Sequence, residues 1–221
     1  MKSPVFISTL DGKLENFHAI STNTLSNDFC QSMHRGTARR KKSKKVICVE
    51  CYSWALLEGF RKNVATALQR NSDLLSSRYL SKDELPVIKD KQFRFNAHGE
   101  LINRTHLQNL VNITRHNPDC TFTLWTKKKQ LINRFFSGAF MYKRNNPKPS
   151  NLILVYSNPY IDDIMYKLPL YFDKTFNNVS PDRFIDEQNC TGQKCKDCLL
   201  CYTHNNTTTI VEKVKNYGKK T

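Results

Sequence analysis

Hydrophobic positions change their spacing from segment to segment along the chain. Where apolar side chains recur every three or four residues, they predict helices with one apolar face: 52–77, 105–115 and 130–140. Shorter apolar runs predict β-strands at 4–9, 92–95, 120–125 and 151–156. After Pro159 the pattern weakens, and Asp162 with Asp163 is predicted to cap a helix.

Strand and helix segments alternate from residue 92 onward. Strands joined by a helix usually run parallel, because the helix carries the chain back across the sheet. The order therefore predicts an α/β fold with a parallel sheet and helical crossovers. A cysteine-rich segment follows, so the expected division is an α/β domain at 1–186 and a metal-binding segment with a basic tail at 187–221.

Composition places the chain among folded proteins with a true core. Its 221 residues are 39% hydrophobic, which suits one large domain or one domain with a small appendage. No apolar run is long enough to cross a bilayer, and the first ten residues do not resemble a signal peptide. We therefore expect a cytoplasmic protein without a membrane partner, whose cysteines are reduced thiols and not disulfides.

Seven of the eight cysteines form two groups with metal-ligand spacing, and only Cys120 stands alone. The C-terminal group has gaps of four, two and two residues: Cys190, Cys195, Cys198 and Cys201. Such a quartet can wrap a [4Fe–4S] cluster or a single zinc ion. The unbroken run favours iron–sulfur, because structural zinc sites usually come as two separated pairs.

The N-terminal group offers three thiolates: Cys30, Cys48 and Cys51. Three protein ligands on a cluster would leave one iron open to water or substrate, as chemistry on a metal requires. The predicted helix begins directly after Cys51, and its first amides would favour a negatively charged cluster. Two alternatives remain open: only Cys48 and Cys51 bind metal, with His34 as a further ligand, or all seven cysteines meet at fewer centres.

Polar residues follow three of the predicted strands. In parallel α/β folds ligands bind at the carboxyl ends of strands, so these positions are candidate site residues: Asn96, His98, Gly99, Glu100, Lys127 and Ser157. His98 and Glu100 are candidates for binding a ligand amine or for acid–base catalysis. Lys127 is a candidate for binding a carboxylate or phosphate. The alternative is that these are ordinary turn residues bonded to nearby backbone groups.

The chain is basic, with a net charge of +16, and residues 35–45 carry a dense run of lysine and arginine. This excess predicts a polyanionic partner such as nucleic acid, reached through the basic loop at 35–45. The alternative is a solvated basic insertion without a binding role.

Several motifs in this order resemble a known family. They are Cys48-x2-Cys51-Tyr52 before a long helix, the strand Phe93–Phe95 before Gly99-Glu100, the run Phe122–Lys127, and the final cysteine group. Over about 23–202 they are similar to the phage "gene product 88" proteins, which are in turn similar to radical-SAM enzymes. That resemblance implies a partial (β/α) barrel with an iron–sulfur cluster at its mouth.

Carried over by position, the resemblance implies a [4Fe–4S] cluster on the N-terminal cysteines and an auxiliary centre on the C-terminal quartet. It also implies S-adenosylmethionine (SAM), whose amino group would meet Gly99 and Glu100 where radical-SAM enzymes have a Gly-Gly-Glu turn. His98 replaces the first glycine of that turn. The spacing also departs from the pattern, because seventeen residues instead of three separate Cys30 from Cys48.

Two functions of different classes follow from these observations. The first is an iron–sulfur protein on a radical-SAM-like scaffold with one or two clusters, acting as an enzyme on a nucleotide or nucleic acid. The second is a non-enzymatic binding protein whose iron–sulfur or zinc centres only hold the fold while it docks on nucleic acid or a host protein.

Overall fold

The computed structural model of the chain describes residues 3–36, 45–59, 61–138, 146–183 and 185–214. Within these ranges the chain forms seven strands and six α-helices. The strands are β1 Ser8–Thr9, β2 His18–Ile20, β3 Gln92–Phe95, β4 Thr121–Thr126, β5 Leu152–Ile161, β6 Lys174–Val179 and β7 Thr209–Lys213. The helices are α1 Asp28–His34, α2 Tyr52–Glu58, α3 Lys62–Ser77, α4 Arg104–His116, α5 Lys129–Phe136 and α6 Cys195–Cys198.

All seven strands join one sheet, and each strand pairs with the next along the chain. The β1–β2 pair is antiparallel, and every pair from β2 to β7 is parallel. This confirms the predicted α/β class and its parallel sheet. Sequential order is the strand order of (β/α) barrels, here with β1 and β7 as the two outer strands.

The main core lies on the face of the sheet that the helices cover. Phe93 and Phe95 of β3 and Phe122 of β4 are fully buried there, and the rings of Phe95 and Phe122 stack with centroids 5.0 Å apart. Side chains alternate between the two faces of a strand, so Arg94 emerges on the opposite face. The sheet therefore has the main core on one face, and on the other it carries Arg94 beside two smaller buried clusters.

Three predicted elements, now β3, α4 and β4, agree with the structure to within a residue. Strand β5 continues five residues past its predicted end, and α5 ends four residues before its predicted end. The predicted strand at 92–95 is β3, and the helix predicted at 105–115 is α4. The helix predicted at 52–77 is wrong in one respect, because it is two helices. Gly59 (φ −90°, ψ −123°) leaves the helical region and ends α2, and α3 begins at Lys62.

Two further corrections concern the less regular segments. Only Ser8 and Thr9 of the strand predicted at 4–9 are paired in the sheet. No described helix begins at Asp162: it has a left-handed φ of 62°, and its carboxylate accepts a hydrogen bond of 2.9 Å from the Ser180 backbone N–H. Asp162 therefore closes the turn after β5 instead of capping a helix.

The cysteine-rich segment lies between two strands of the same sheet. It follows β6, and the chain then returns to pair β7 beside β6 in parallel. The boundary predicted near residue 187 stays a prediction, and β7, beyond it, is part of the sheet. None of the described helices is long and apolar enough to span a membrane.

Candidate functional site

A cavity of about 500 Å³ lies at the carboxyl ends of the central strands. Every predicted site residue lines it, including the seven grouped cysteines. The eighth cysteine, Cys120, is buried in the main core. Residues that are far apart in the sequence thus meet at one place, which is where ligands bind in parallel α/β folds.

The N-terminal cysteines come from three neighbouring pieces of chain. Cys30 lies on α1, Cys48 in a 3-10 turn at Ile47–Glu50, and Cys51 directly before α2. Asn27 fixes the first turn of α1, because its side chain accepts a hydrogen bond of 3.1 Å from the Cys30 N–H. Its amide also donates to the Glu100 carbonyl at 3.0 Å, which ties this group to the turn after β3.

His34, the alternative ligand of this group, lies next to it but is engaged elsewhere. Its Nδ1 is 3.0 Å from the Cys48 carbonyl oxygen, and its ring stacks on Trp54 with centroids 4.1 Å apart. The imidazole therefore supports the backbone at Cys48.

The C-terminal quartet contacts chain from both sides of the sheet, the last strand β7 and the turn between β1 and β2. Cys190 is bonded through its N–H to the Val211 carbonyl of β7 at 3.0 Å. Lys13, from a 3-10 turn near the N-terminus, donates to the Cys190 sulfur at 2.8 Å and to Glu212 at 2.6 Å. Tyr202, which follows the last cysteine, is 1% exposed and packs on Phe17 with ring centroids 4.5 Å apart.

All eight cysteines are free thiols. Burial raises the pKa of Cys30 and of Cys201 above the ordinary range, and the neighbouring cysteines of each group raise it further. Bare thiols at these positions stay protonated at neutral pH, because burial disfavours the thiolate. Metal binding would replace those protons, since the thiolate is the metal ligand.

The described residues contain no group of three or more His, Cys, Asp or Glu side chains arranged to hold a metal ion. The chemistry of the donor set nevertheless fits a cluster, because the grouped thiols are free and face one cavity. A four-iron cluster distributes its thiolate ligands around a larger volume than a single zinc ion, which gathers sulfur atoms at about 2.3 Å. The number and kind of metal centres stay a prediction.

Glu100 is bonded to the chain from several sides. Its Oε1 accepts hydrogen bonds from the Leu101 N–H at 2.8 Å and the Thr126 hydroxyl at 2.5 Å, and its Oε2 accepts from the Lys127 N–H at 2.7 Å. These bonds use three of the roughly four acceptor positions of a carboxylate. Glu100 thus joins the ends of β3 and β4 and keeps about one position for a ligand.

His98 is a neutral imidazole at physiological pH. Burial lowers its pKa to about 4, and the charges of Arg94 and Arg61 lower it further. Its Nδ1 is 2.8 Å from the Ser53 hydroxyl, which fixes the ring orientation. A pKa this far below neutral makes the imidazole a weak base, so His98 can hydrogen-bond a ligand but carries no charge to pair with one; its predicted acid–base role stays a prediction.

Gly99 occupies a position in which any side chain would be strained. Its φ is +74°, and a Cβ would lie 2.5 Å from the Thr22 carbonyl oxygen and 2.8 Å from the carbonyl carbon. Its N–H donates to the Thr24 hydroxyl at 2.9 Å. The turn that contains Gly99, at the mouth of the cavity, therefore packs directly against the segment that follows β2.

Lys127 reaches across to the next strand and donates to the Ser157 hydroxyl at 2.9 Å. Burial alone would lower the pKa of Lys127, but the negative charges of Glu100 and of the N-terminal cysteines in their thiolate form outweigh it, and the pKa is raised. The lysine therefore stays charged beside Cys30, Cys48 and Cys51.

Sequence reasoning missed several cavity residues, among them Arg94 and Trp125. The Arg94 guanidinium lies 4.4 Å from the centroid of the Trp125 ring and donates to the Tyr202 hydroxyl at 3.2 Å. Arg94 Nε, Trp125 Nε1 and the side-chain oxygen of Asn96 are buried without a hydrogen-bond partner among the described residues. The available signal was a cation between two phenylalanines in β3, which places it on the face opposite the core.

The predicted basic loop is largely outside the described residues, because residues 37–44 lie there. Nothing in the described ranges bears on nucleic-acid binding by this loop, and that partner stays a prediction. Lys45, at its end, accepts a backbone hydrogen bond of 2.9 Å from Ile161 of β5.

Comparison with known proteins gives one family. A family model described as Gene product 88 matches residues 22–180, which is more than half of the chain. No curated protein and no solved structure matches the chain. The match covers the N-terminal cysteines and the strand-end turns, and it ends before the C-terminal quartet.

Proposed function

The chain belongs to the Gene product 88 family, and we propose that it is an iron–sulfur protein on a radical-SAM-like scaffold. The observation that carries the proposal is the meeting of all seven grouped cysteines with the strand-end residues in one cavity. Thiols scattered for packing alone would have no reason to face the same space.

In this proposal Cys30, Cys48 and Cys51 hold a [4Fe–4S] cluster, and the C-terminal quartet holds a second cluster or a zinc ion. A cluster with three protein ligands supplies one-electron chemistry and an open coordination position. The chain's own contribution is to hold the thiolates, keep a positive charge at Lys127 beside them, and present the neutral imidazole of His98 as a hydrogen-bonding group on the cavity wall. The ligand would be SAM, with its amino group at the Gly99–Glu100 turn, and the substrate a nucleotide or nucleic acid.

The first test is elemental analysis of anaerobically purified protein for iron, sulfide and zinc, together with its visible spectrum. We expect iron and sulfide in equal amounts and a broad absorbance shoulder. Cys48→Ser should lower the iron content, whereas Cys120→Ser, which alters a buried thiol of the main core, should leave it unchanged. Colourless protein that carries only zinc would remove the iron–sulfur proposal.

Catalysis is tested separately, by adding SAM and a strong reductant to the brown protein. We expect reductive cleavage of SAM, and Glu100→Gln should weaken SAM binding without lowering the iron content. If the protein contains the cluster but cleaves no SAM, the proposed reaction is wrong and only the proposed iron–sulfur scaffold remains.

A second function is favoured by the way the C-terminal quartet is attached. Lys13 links Cys190 to Glu212, and Lys194 pairs with Glu15, so the segment ties the N-terminal turn to the last strand. A metal there would act as a structural centre in a binding protein. In that case metal removal should lower the melting temperature, and no redox change of the metal should be detectable.

A further inference from the structure

The cavity has an imbalance of charge on its wall. Two of its cations are each paired with a carboxylate: Lys13 with Glu212 at 2.6 Å, and Arg61 with Asp11. Arg94 and Lys127, by contrast, have no carboxylate within ion-pair distance among the described residues.

Arg94 is the less compensated of the two cations. Its charge lies against the Trp125 ring and one neutral hydroxyl, that of Tyr202, and its Nε has no partner in the described part of the chain. A guanidinium with a buried donor and no opposite charge nearby is incompletely compensated, so an anion that reaches its exposed part would be stabilised there.

Lys127 likewise has a charged group that is bonded to a neutral partner. Its Nζ donates to a neutral hydroxyl, that of Ser157, while the nearby carboxylate of Glu100 is engaged by two backbone N–H groups and the Thr126 hydroxyl. Both cations are partly exposed and line the same cavity, so they face its interior.

We propose that this cavity binds a small ligand through an anionic group, a phosphate or a carboxylate, that is held by Arg94 and Lys127. The guanidinium presents N–H donors in a plane that matches either group, and a lysine ammonium adds a second point of charge. A cavity of about 500 Å³ is of the size that takes a nucleotide or another small organic anion.

This inference deepens the proposed function, because it gives a chemical class to the ligand of the same cavity. It does not require iron. The competing explanation is that the two cations compensate a negatively charged cluster and not a ligand, and the two explanations predict different behaviour of the iron content.

The test is calorimetric titration of the protein, as purified, with two matched pairs of probes: adenosine monophosphate against adenosine, and benzoate against benzamide. We expect an anionic member to bind at least about tenfold more tightly than its neutral partner, as a charge-assisted hydrogen bond implies. Tight binding of the monophosphate alone identifies a phosphate, and tight binding of benzoate a carboxylate. If neither anion binds more tightly than its neutral partner, the proposal fails.

Three variants assign the effect. Arg94→Gln and Lys127→Gln should each lower the affinity for the anionic probe by about 10- to 100-fold. Arg61→Gln, which removes a paired cation from the same wall, should change the affinity for that probe by less than about twofold. An equal loss in Arg61→Gln would show that general charge is responsible, and it would overturn the proposal.

Iron content, measured on each variant, separates this proposal from the previous one. We expect Arg94→Gln and Lys127→Gln to keep the wild-type iron content. Loss of iron in both variants would assign the cations to the cluster and refute the anion site. A protein without iron that still binds the anion through Arg94 and Lys127 would refute the iron–sulfur proposal and leave the anion site in place.

Discussion

Gly99→Ala offers a sharp test of the turn at the mouth of the cavity. The residue has a φ of +74°, and an added Cβ would lie 2.5 Å from the Thr22 carbonyl oxygen and 2.8 Å from the carbonyl carbon. Thr22 is fully buried, so its backbone has little room to move away. The new methyl group must therefore displace the turn, and Glu100 with it.

Two costs add in this variant. A left-handed conformation in a residue with a Cβ costs about 1–2 kcal/mol. Steric overlap in a packed interior adds about 1–3 kcal/mol. The sum is a large part of the roughly 5–15 kcal/mol that stabilises a typical domain.

Gly138→Ala is the matched control. Gly138 has a φ of +70°, and its added Cβ would meet no atom of the described residues within 4 Å. It therefore carries the backbone cost without the overlap. The measurement is the free energy of unfolding from urea titrations followed by far-ultraviolet circular dichroism.

We expect Gly99→Ala to be less stable than Gly138→Ala by about 1–3 kcal/mol, which is the overlap alone. If the two variants lose the same free energy of unfolding, then the turn does not press against Thr22 and our account of the mouth of the cavity is wrong.

Three further predictions concern other parts of the molecule. Thr126→Val removes the hydroxyl that donates to Glu100 at 2.5 Å and should lower the free energy of unfolding by about 1–3 kcal/mol, measured by urea titration against Thr121→Val as a control on the same strand. Burial lowers the pKa of His106 to about 3 from an ordinary 6.5, so the unfolded chain binds a proton that the folded chain refuses. Stability should be full above pH 6.5 and fall by up to about 1.4 kcal/mol per pH unit as the pH drops from 6.5 toward 3; His106→Gln should make that slope shallower, and parallel curves would contradict the assignment. Replacing Lys41, Lys42, Lys44 and Lys45 with serine should flatten the salt dependence of nucleic-acid binding in a fluorescence titration, and an unaltered slope would discount the basic loop.

The regular part of the fold could be predicted because its apolar spacing follows the period of each element. The strand Phe93–Phe95 and the helices α4 and α5 have apolar residues at the spacing of a strand or a helix. Their side chains divide cleanly between one buried face and one polar face, and such a division is visible in a sequence.

Strand β6 could not be predicted in the same way, because polar side chains fill its interior positions. Lys174 is 2% exposed and donates to Asn205 and to the Thr207 carbonyl, and Asn177 is fully buried and bonded to Asn158 and the Met165 N–H. A strand that satisfies buried polar groups through distant partners has no apolar alternation to detect. Strand β2 was missed for another reason, because three residues are too few to show an alternation.

The candidate site was predictable in its members but not in its arrangement. Cysteine spacing and strand-end position identified residues that all line one cavity. The sequence could not show that both cysteine groups share it, because their common location depends on β7 pairing beside β6. Arg94 was missed because a single cation within a strand gives no signal until its neighbours are known.

The order of the strands has a consequence for how the protein is made. Each strand pairs with its predecessor, so the sheet can extend step by step as the ribosome delivers the chain. The contact between Lys13 and Cys190, however, spans 177 positions and must await the final part of synthesis. The wall of the cavity that Cys190 and Glu212 form is therefore the last to be completed, when β7 pairs beside β6.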